Sequence, residues 1–337
     1  MKSMTKWAWV ALVAMVSIAF SACSSDDPQK KEENKFKEQT VVNEIVAKQK
    51  KHEKALLLIA FGSTWEEPQK TFGKMQEAFK KAFPDMDLYF SFTSTICINK
   101  LRAEGKQVYY RPQQWLTAIG EAGYKEVNVQ SLHIVPGEEY LEIQTEIKNF
   151  HFTPEYGKIV VYAGAPLLAE KEDVEEVAKI LHAEYKDKVE AGNIVAFMGH
   201  GNPETHNYGN GNSRYLWIEE ALQKLNAHYY VSTVDMENNF VADMWKRMEA
   251  KGDKTGTVYC APLMSVAGDH ANNDMTGGRN AKAEEDSWRD FFTQKGYNCP
   301  LGNCNLIGLG DYPQIVDIWV RHLKEARQAE PMYDGKE

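Results

Sequence analysis

Short apolar runs alternate with segments of helical spacing along most of the chain. Residues 55–61 are continuously apolar and stop at Gly62-Ser63, and residues 68–83 repeat their apolar positions every three or four residues. The first pattern suits a parallel strand covered on both faces, the second an amphipathic helix. Further strands are predicted at 88–92, 127–135 and 159–162, with helices at 113–123 and 138–150. The scheme then recurs as strand 194–198, helix 215–226, strand 229–234, helix 241–251 and strand 257–263. Alternation of this kind predicts an α/β fold built on parallel sheets flanked by helices.

The two halves read as copies. Residues 127–139 overlay 258–270 at a constant shift of 131, with Val127, Leu132, Val135 and Gly137 matched by identical residues. Glu139 then falls opposite His270. Residues 57–63 overlay 194–200, which sets Ser63 opposite His200. The expected organisation is two similar α/β domains, 54–165 and 166–310, followed by a helix at 311–328 and a tail at 329–337. Their loops are expected to surround one inter-domain cleft, with two imidazoles meeting across it from opposite copies.

The N-terminus changes the picture. Lys2 and Lys6 flank a short apolar run ending in Ser21-Ala22-Cys23, which predicts a lipoprotein signal peptide over 1–22 and lipidation of Cys23. An uncleaved anchor or an ordinary secretory signal is the alternative. The charged, apolar-poor stretch 23–53 reads as a tether, with a short helix in its second half. The protein is therefore expected outside the cytoplasm, in the periplasm or at the outer membrane, its cell-surface side included. Removing the leader, which holds two lysines and no acid, takes the formal charge from −9 to −11, which disfavours nucleic acid. Cys97 and Cys260 sit in apolar runs and read as buried thiols. Cys299 and Cys304 lie in a loop and read either as a disulfide or as two free thiols.

Two histidines carry the candidate chemistry. His200 in Gly199-His200-Gly201 and His270 in Gly268-Asp269-His270 each follow an apolar strand, where α/β proteins place their sites. Imidazoles there suit a divalent metal or a proton acceptor near neutral pH. Ser63 and Glu139, opposite them in the repeat, are substrate-binding candidates, although Glu138 and Glu139 also suit a helix start. Asp269, Asn272, Asn273 and Asp274 read as solvated turn residues or as groups orienting His270. His133 reads as a core or supporting histidine, His206 as exposed, and Trp217, Trp245 and Trp288 as packing residues.

Six segments, in order, resemble the anaerobic cobaltochelatase family of the CbiK type. They are Phe92-Thr93-Ser94, residues 130–140, Met198-Gly199-His200-Gly201, Pro262-Leu263-Met264, residues 267–275 and Glu285-Asp286-Ser287-Trp288. The resemblance implies a class II chelatase fold, Co²⁺ or Fe²⁺ as metal, and a tetrapyrrole such as sirohydrochlorin as substrate. It also implies His200, Asp235 and His270 as metal ligands, His200 as proton acceptor, and a homo-oligomer. Asp235 stands where the family usually has Glu, with Glu237 nearby, and the loop 207–213 is longer and richer in Gly and Asn than the family pattern. Export motivates a second function class, an envelope lipoprotein that binds haem or another tetrapyrrole for uptake or iron removal without cobaltochelatase turnover, with an outer-membrane uptake receptor as partner. A divalent-metal buffer is the third.

Overall fold

The computed structural model describes residues 28–278 and 287–335. The apolar leader, Cys23 and the acidic run after it lie outside the described residues, as do Glu285 and Asp286. In chain order the elements are α1 (Pro28–Gln49), β1 (Lys54–Ala60), α2 (Glu66–Ala82), β2 (Asp87–Phe92), α3 (Thr95–Ala103), α4 (Pro112–Glu121), β3 (Glu126–Ser131), α5 (Glu138–His151) and β4 (Val160–Gly164). The second half contains α6 (Lys171–Glu190), β5 (Ile194–Gly199), α7 (Ser213–Leu225), β6 (Tyr229–Thr233), α8 (Val241–Lys251), β7 (Val258–Pro262), α9 (Trp288–Gln294) and α10 (Pro313–Gln328).

Among the described residues, four strands form one parallel sheet in the order β2-β1-β3-β4, and three form another in the order β6-β5-β7. The continuous apolar runs are explained by burial on both faces. Leu56 and Leu58 of β1 join one core while Leu57 and Ile59 join another; in β5, Val195 and Phe197 join the first and Ala196 and Met198 a third. The first core therefore lies between the two sheets. It is filled by apolar faces of α2, α6, α7 and α10, including Phe72, Leu181, Leu222 and Trp319. The halves are fused through this layer. Each large apolar side chain buried there contributes about 1.5–3 kcal/mol.

Strand register confirms the doubling and corrects its alignment. Ile59 is paired with Ser91 and Ser131, and Met198 is paired with Ser232 and Pro262. Ile59 and Met198 are thus equivalent, a shift of 139 that sets Phe61, not Ser63, against His200. The backbone N–H of Ser94 donates to the Phe61 carbonyl at 3.0 Å, as that of Asp235 donates to His200 at 2.9 Å. A slip of two residues keeps every side chain on its face, so apolar pattern alone cannot detect it.

The expected tether is largely structured. α1 occupies most of 23–53, and its Val42 and Val46, four residues apart, are fully buried in the outer-face core of the first sheet. Gln39 Nε2 donates to the Gln114 carbonyl at 3.0 Å, and Arg102 pairs with Glu38 at 2.6 Å. Two valines in a charged helix are a weak sequence signal, yet they suffice to dock it on α4. Among the described residues, no helix is long and apolar enough to cross a membrane.

Candidate metal centre

His200, Asp235 and His270 all come from the second half. They leave the C-terminal ends of three neighbouring strands: His200 directly after β5, Asp235 two residues after β6, and His270 on the loop that follows β7. The expected meeting of imidazoles from opposite copies is therefore corrected, because adjacent parallel strands already deliver both rings to one edge. The first half holds Phe61, Ser94 and Glu139 at the equivalent positions.

Close backbone packing explains the Gly-His-Gly sequence. A Cβ on Gly199 would lie 2.4 Å from the ring of Tyr215, and Gly201 has φ +79° with its missing Cβ 2.8 Å from the Met236 amide. Tyr215 is buried, which pushes its hydroxyl up to about 12, and the backbone N–H groups of Gly201 and His200 face it. The turn after β6 is fixed by the Asn239 carbonyl, which accepts from Thr233 N–H at 2.8 Å and from the Ser232 hydroxyl. That turn carries Asp235.

The rings of His200 and His270 lie 5.0 Å apart at 76° to each other. His200 Nδ1 is 2.8 Å from the Gly201 carbonyl and 3.6 Å from Asp235 Oδ2. His270 Nδ1 is 2.5 Å from Asp274 Oδ2, four residues on in the π-helical turn Ala271–Met275. Carbonyl and carboxylate oxygens only accept, so in both neutral rings Nδ1 carries the proton and Nε2 offers a lone pair. The Asp274 hydrogen bond raises the His270 pKa above its ordinary value despite burial, with the charges of Asp274, Asp235 and Asp269 adding to the effect. Asn272 holds the loop by donating to the carbonyls of Ala267 and Gly268 at 3.0 and 2.8 Å.

The donor atoms of His200, Asp235 and His270 do not all lie within 4.8 Å of one another. An ion that touched all three would require one side chain to rotate. All three are more than a third exposed, which leaves that rotation open.

Groups of the first half border the site. Trp65 Nε1 donates to Asp269 Oδ1 at 3.3 Å across the halves. Ser63 is buried; its Oγ accepts from Trp65 N–H at 3.3 Å and would stand 3.5 Å from a Cβ on Gly268. Glu139 Oε2 is 2.9 Å from Nε2 of buried His133, close but not aligned for a hydrogen bond, while His133 Nδ1 is 2.9 Å from the Ser131 hydroxyl. His133 thus lies against Glu139. His206 is exposed, 3.9 Å from Glu138. Trp288 is buried, whereas Trp217 and Trp245 stack under Arg214 and Lys295, so all three serve packing.

The Gly and Asn of loop 207–213 have a packing role. Asn212 Nδ2 donates to the Asn202 carbonyl at 2.7 Å while its Oδ1 accepts from Asn202 N–H at 2.9 Å. Gly209 and Gly211 lie against the backbone of Pro136 and Gly137, where Cβ atoms would stand 2.4 and 3.1 Å away. The loop seals the two halves together. A hollow of about 390 Å³ beside α5, lined by Arg111, Glu138, Glu142, Glu146 and Tyr208 among others, lies apart from the two histidines.

A family model described as cobalt chelatase (CbiK) matches residues 54–328. The chain belongs to this family. It is 30% identical over 280 residues to the sirohydrochlorin cobaltochelatase CbiKC of Nitratidesulfovibrio vulgaris, covering 82% of this chain and 91% of that one. It is equally 30% identical over 276 residues to the sirohydrochlorin cobaltochelatase of Salmonella typhimurium, covering 81% and 96%. Among solved structures, SirB from Bacillus subtilis with Fe³⁺ superposes with a TM-score of 0.52 at 16% identity, over 81% of this chain and 95% of that one. The sirohydrochlorin chelatase SirB of Bacillus subtilis subspecies spizizenii, in complex with cobalt, gives 0.52 at 14% identity, over 82% and 98%. The CbiK assignment and the chelatase fold agree with the doubled parallel-sheet architecture. The nitrogen and oxygen donors at the edge of the second sheet suit a first-row divalent ion.

Proposed function

We propose that the protein inserts Co²⁺ into sirohydrochlorin or a close tetrapyrrole relative, with His200, Asp235 and His270 receiving the metal. The carrying observation is the pair of imidazoles 5.0 Å apart at the ends of adjacent strands, with Asp235 beside one and Asp274 behind the other. Family membership and the names of the two relatives support the reaction. Fe²⁺ is the alternative cargo, since the same donors accept it.

The donor set accounts for the proton balance. Insertion replaces two pyrrole N–H protons by one dication. As the ion passes from the imidazoles to the macrocycle, their Nε2 lone pairs are freed, and each can take one proton, His200 first. Asp274 stabilises the imidazolium formed at His270, as Asp235 does at His200. Glu139, partly exposed, is assigned to contacts with the macrocycle, and the buried Ser63 to holding the Trp65 turn beside it.

We further infer that the chain works outside the cytoplasm, held by a lipid on Cys23. The support is the charged, short apolar leader and its small residues before the cysteine. Mixing the parent protein with Co²⁺ and sirohydrochlorin tests the reaction. Formation of the cobalt complex well above the uncatalysed rate is expected. Tight haemin binding without any insertion would contradict it and favour an envelope haem carrier.

A further inference from the structure

A second cluster of metal-binding side chains lies away from the histidines. Cys260, Cys299 and Cys304 bring their sulfurs within 4.8 Å of one another, and all three are free thiols. The Cys299–Cys304 disulfide, one of two readings of the sequence, is not formed. Cys260, read as a separate buried thiol, lies on β7, 39 residues before Cys299. Two isolated parallel bridges bring them together, Thr257 with Asn298 and Cys260 with Cys304, so residues 298–304 run along the β7 edge of the second sheet. The Asn305 N–H donates to the Cys260 carbonyl at 2.8 Å. Cys260 and Cys299 are buried in the outer-face core, and Cys304 is half-buried.

We propose that Cys260, Cys299 and Cys304 form a second, sulfur-only site for a thiophilic divalent ion of the zinc class. Cys260 and Cys299 Sγ are 3.9 Å apart. This is close to the edge of a zinc–thiolate tetrahedron, about 3.8 Å for Zn–S bonds of about 2.3 Å. Three thiolates and a divalent ion leave one negative charge. The Arg289 guanidinium lies where it favours the thiolates of Cys299 and Cys304. Cys304 is the least buried of the three, so a fourth ligand would enter beside it.

The ion has a structural task. Residues beyond Cys304 support the loop that carries His270: Leu309 N–H donates to Met264 O at 2.9 Å and Gly310 N–H to Ser265 O at 2.8 Å. Gly308 and Gly310 pack so closely there that Cβ atoms would meet backbone at 2.5 and 2.9 Å. Clipping residues 299–304 to β7 holds the start of that support. Sulfur and imidazole sites therefore divide the metals by softness, zinc for structure and cobalt for reaction.

Metal titration of the reduced full chain tests this, with Co²⁺ as a spectroscopic stand-in. Two equivalents, enough for the imidazole and the sulfur sites together, should produce a near-ultraviolet sulfur-to-cobalt charge-transfer band, which imidazole and carboxylate cannot give. One equivalent of Zn²⁺ should abolish the band and protect these three thiols, but not Cys97, from alkylation. The band should persist in His200→Ala/His270→Ala and be lost in Cys304→Ser, the least buried position. Absence of the band in the parent chain, or unchanged alkylation of all thiols with zinc present, would overturn the proposal without reference to any variant.

Discussion

His270 and Asp274 face each other across one turn of backbone, Nδ1 to Oδ2 at 2.5 Å. The contact fixes which ring nitrogen is free and makes that ring a stronger base. Replacing Asp274 by Asn keeps the shape and removes the charge. Affinity for Co²⁺, measured by calorimetry, should fall about 10–100-fold.

The same contact sets a pH dependence. The Asp274 hydrogen bond raises the His270 pKa, so a metal ion competes with a proton that is held more firmly than usual. Co²⁺ affinity should rise with pH through a midpoint above about 6.5, the ordinary histidine value. In Asp274→Asn that midpoint should move to lower pH. A midpoint that stays in place would show that another group governs binding.

Gly199→Ala tests the packing that aims His200. The new Cβ would meet the buried Tyr215 ring at 2.4 Å, so ring or strand must move. A loss of about 1–3 kcal/mol in stability is expected, with slower cobalt insertion in the fraction that folds. Denaturant melts and insertion rates on one preparation check both.

Asp173 ties α6 to α10. It is buried, 3.0 Å from His322 Nε2 and 2.8 Å from Arg321. Burial opposes its ionisation, but the hydrogen bond and charge of His322, with backbone and Arg321 bonds, hold its pKa below the ordinary value. A depressed folded pKa gives stability that is present above the unfolded value, about 3.9, and is lost as pH falls through the folded one. Asp173→Ala should cost about 3–5 kcal/mol near neutral pH in chemical denaturation, because His322 and Arg321 lose their buried partner.

Much of this was legible in the residues. Unbroken apolar runs marked the strands because parallel strands are buried on both sides, and His200 stood out by following one of them; the packing of Gly199 and Gly201 against Tyr215 and Met236 needed the structure. Of the polar residues around His270 that read either as solvated turn residues or as orienting groups, Asp274 is the one that orients the ring. What escaped has physical reasons. α1 is held by two valines in a charged helix, too weak a signal to tell it from a tether. The origin of both histidines in one half depended on strand neighbours, and the Ser63–His200 equivalence failed on a two-residue slip that leaves the apolar pattern unchanged. The thiol cluster depended on bridges between β7 and a distant loop.

Rates of Co²⁺ insertion into sirohydrochlorin by the parent, His200→Ala and His270→Ala proteins, at one enzyme concentration and after confirmation of folding, test the central claim most directly. If these imidazoles receive the ion and then the protons, each variant should lose about 10²–10⁴-fold in rate. Rates within twofold of the parent for either variant would contradict the account.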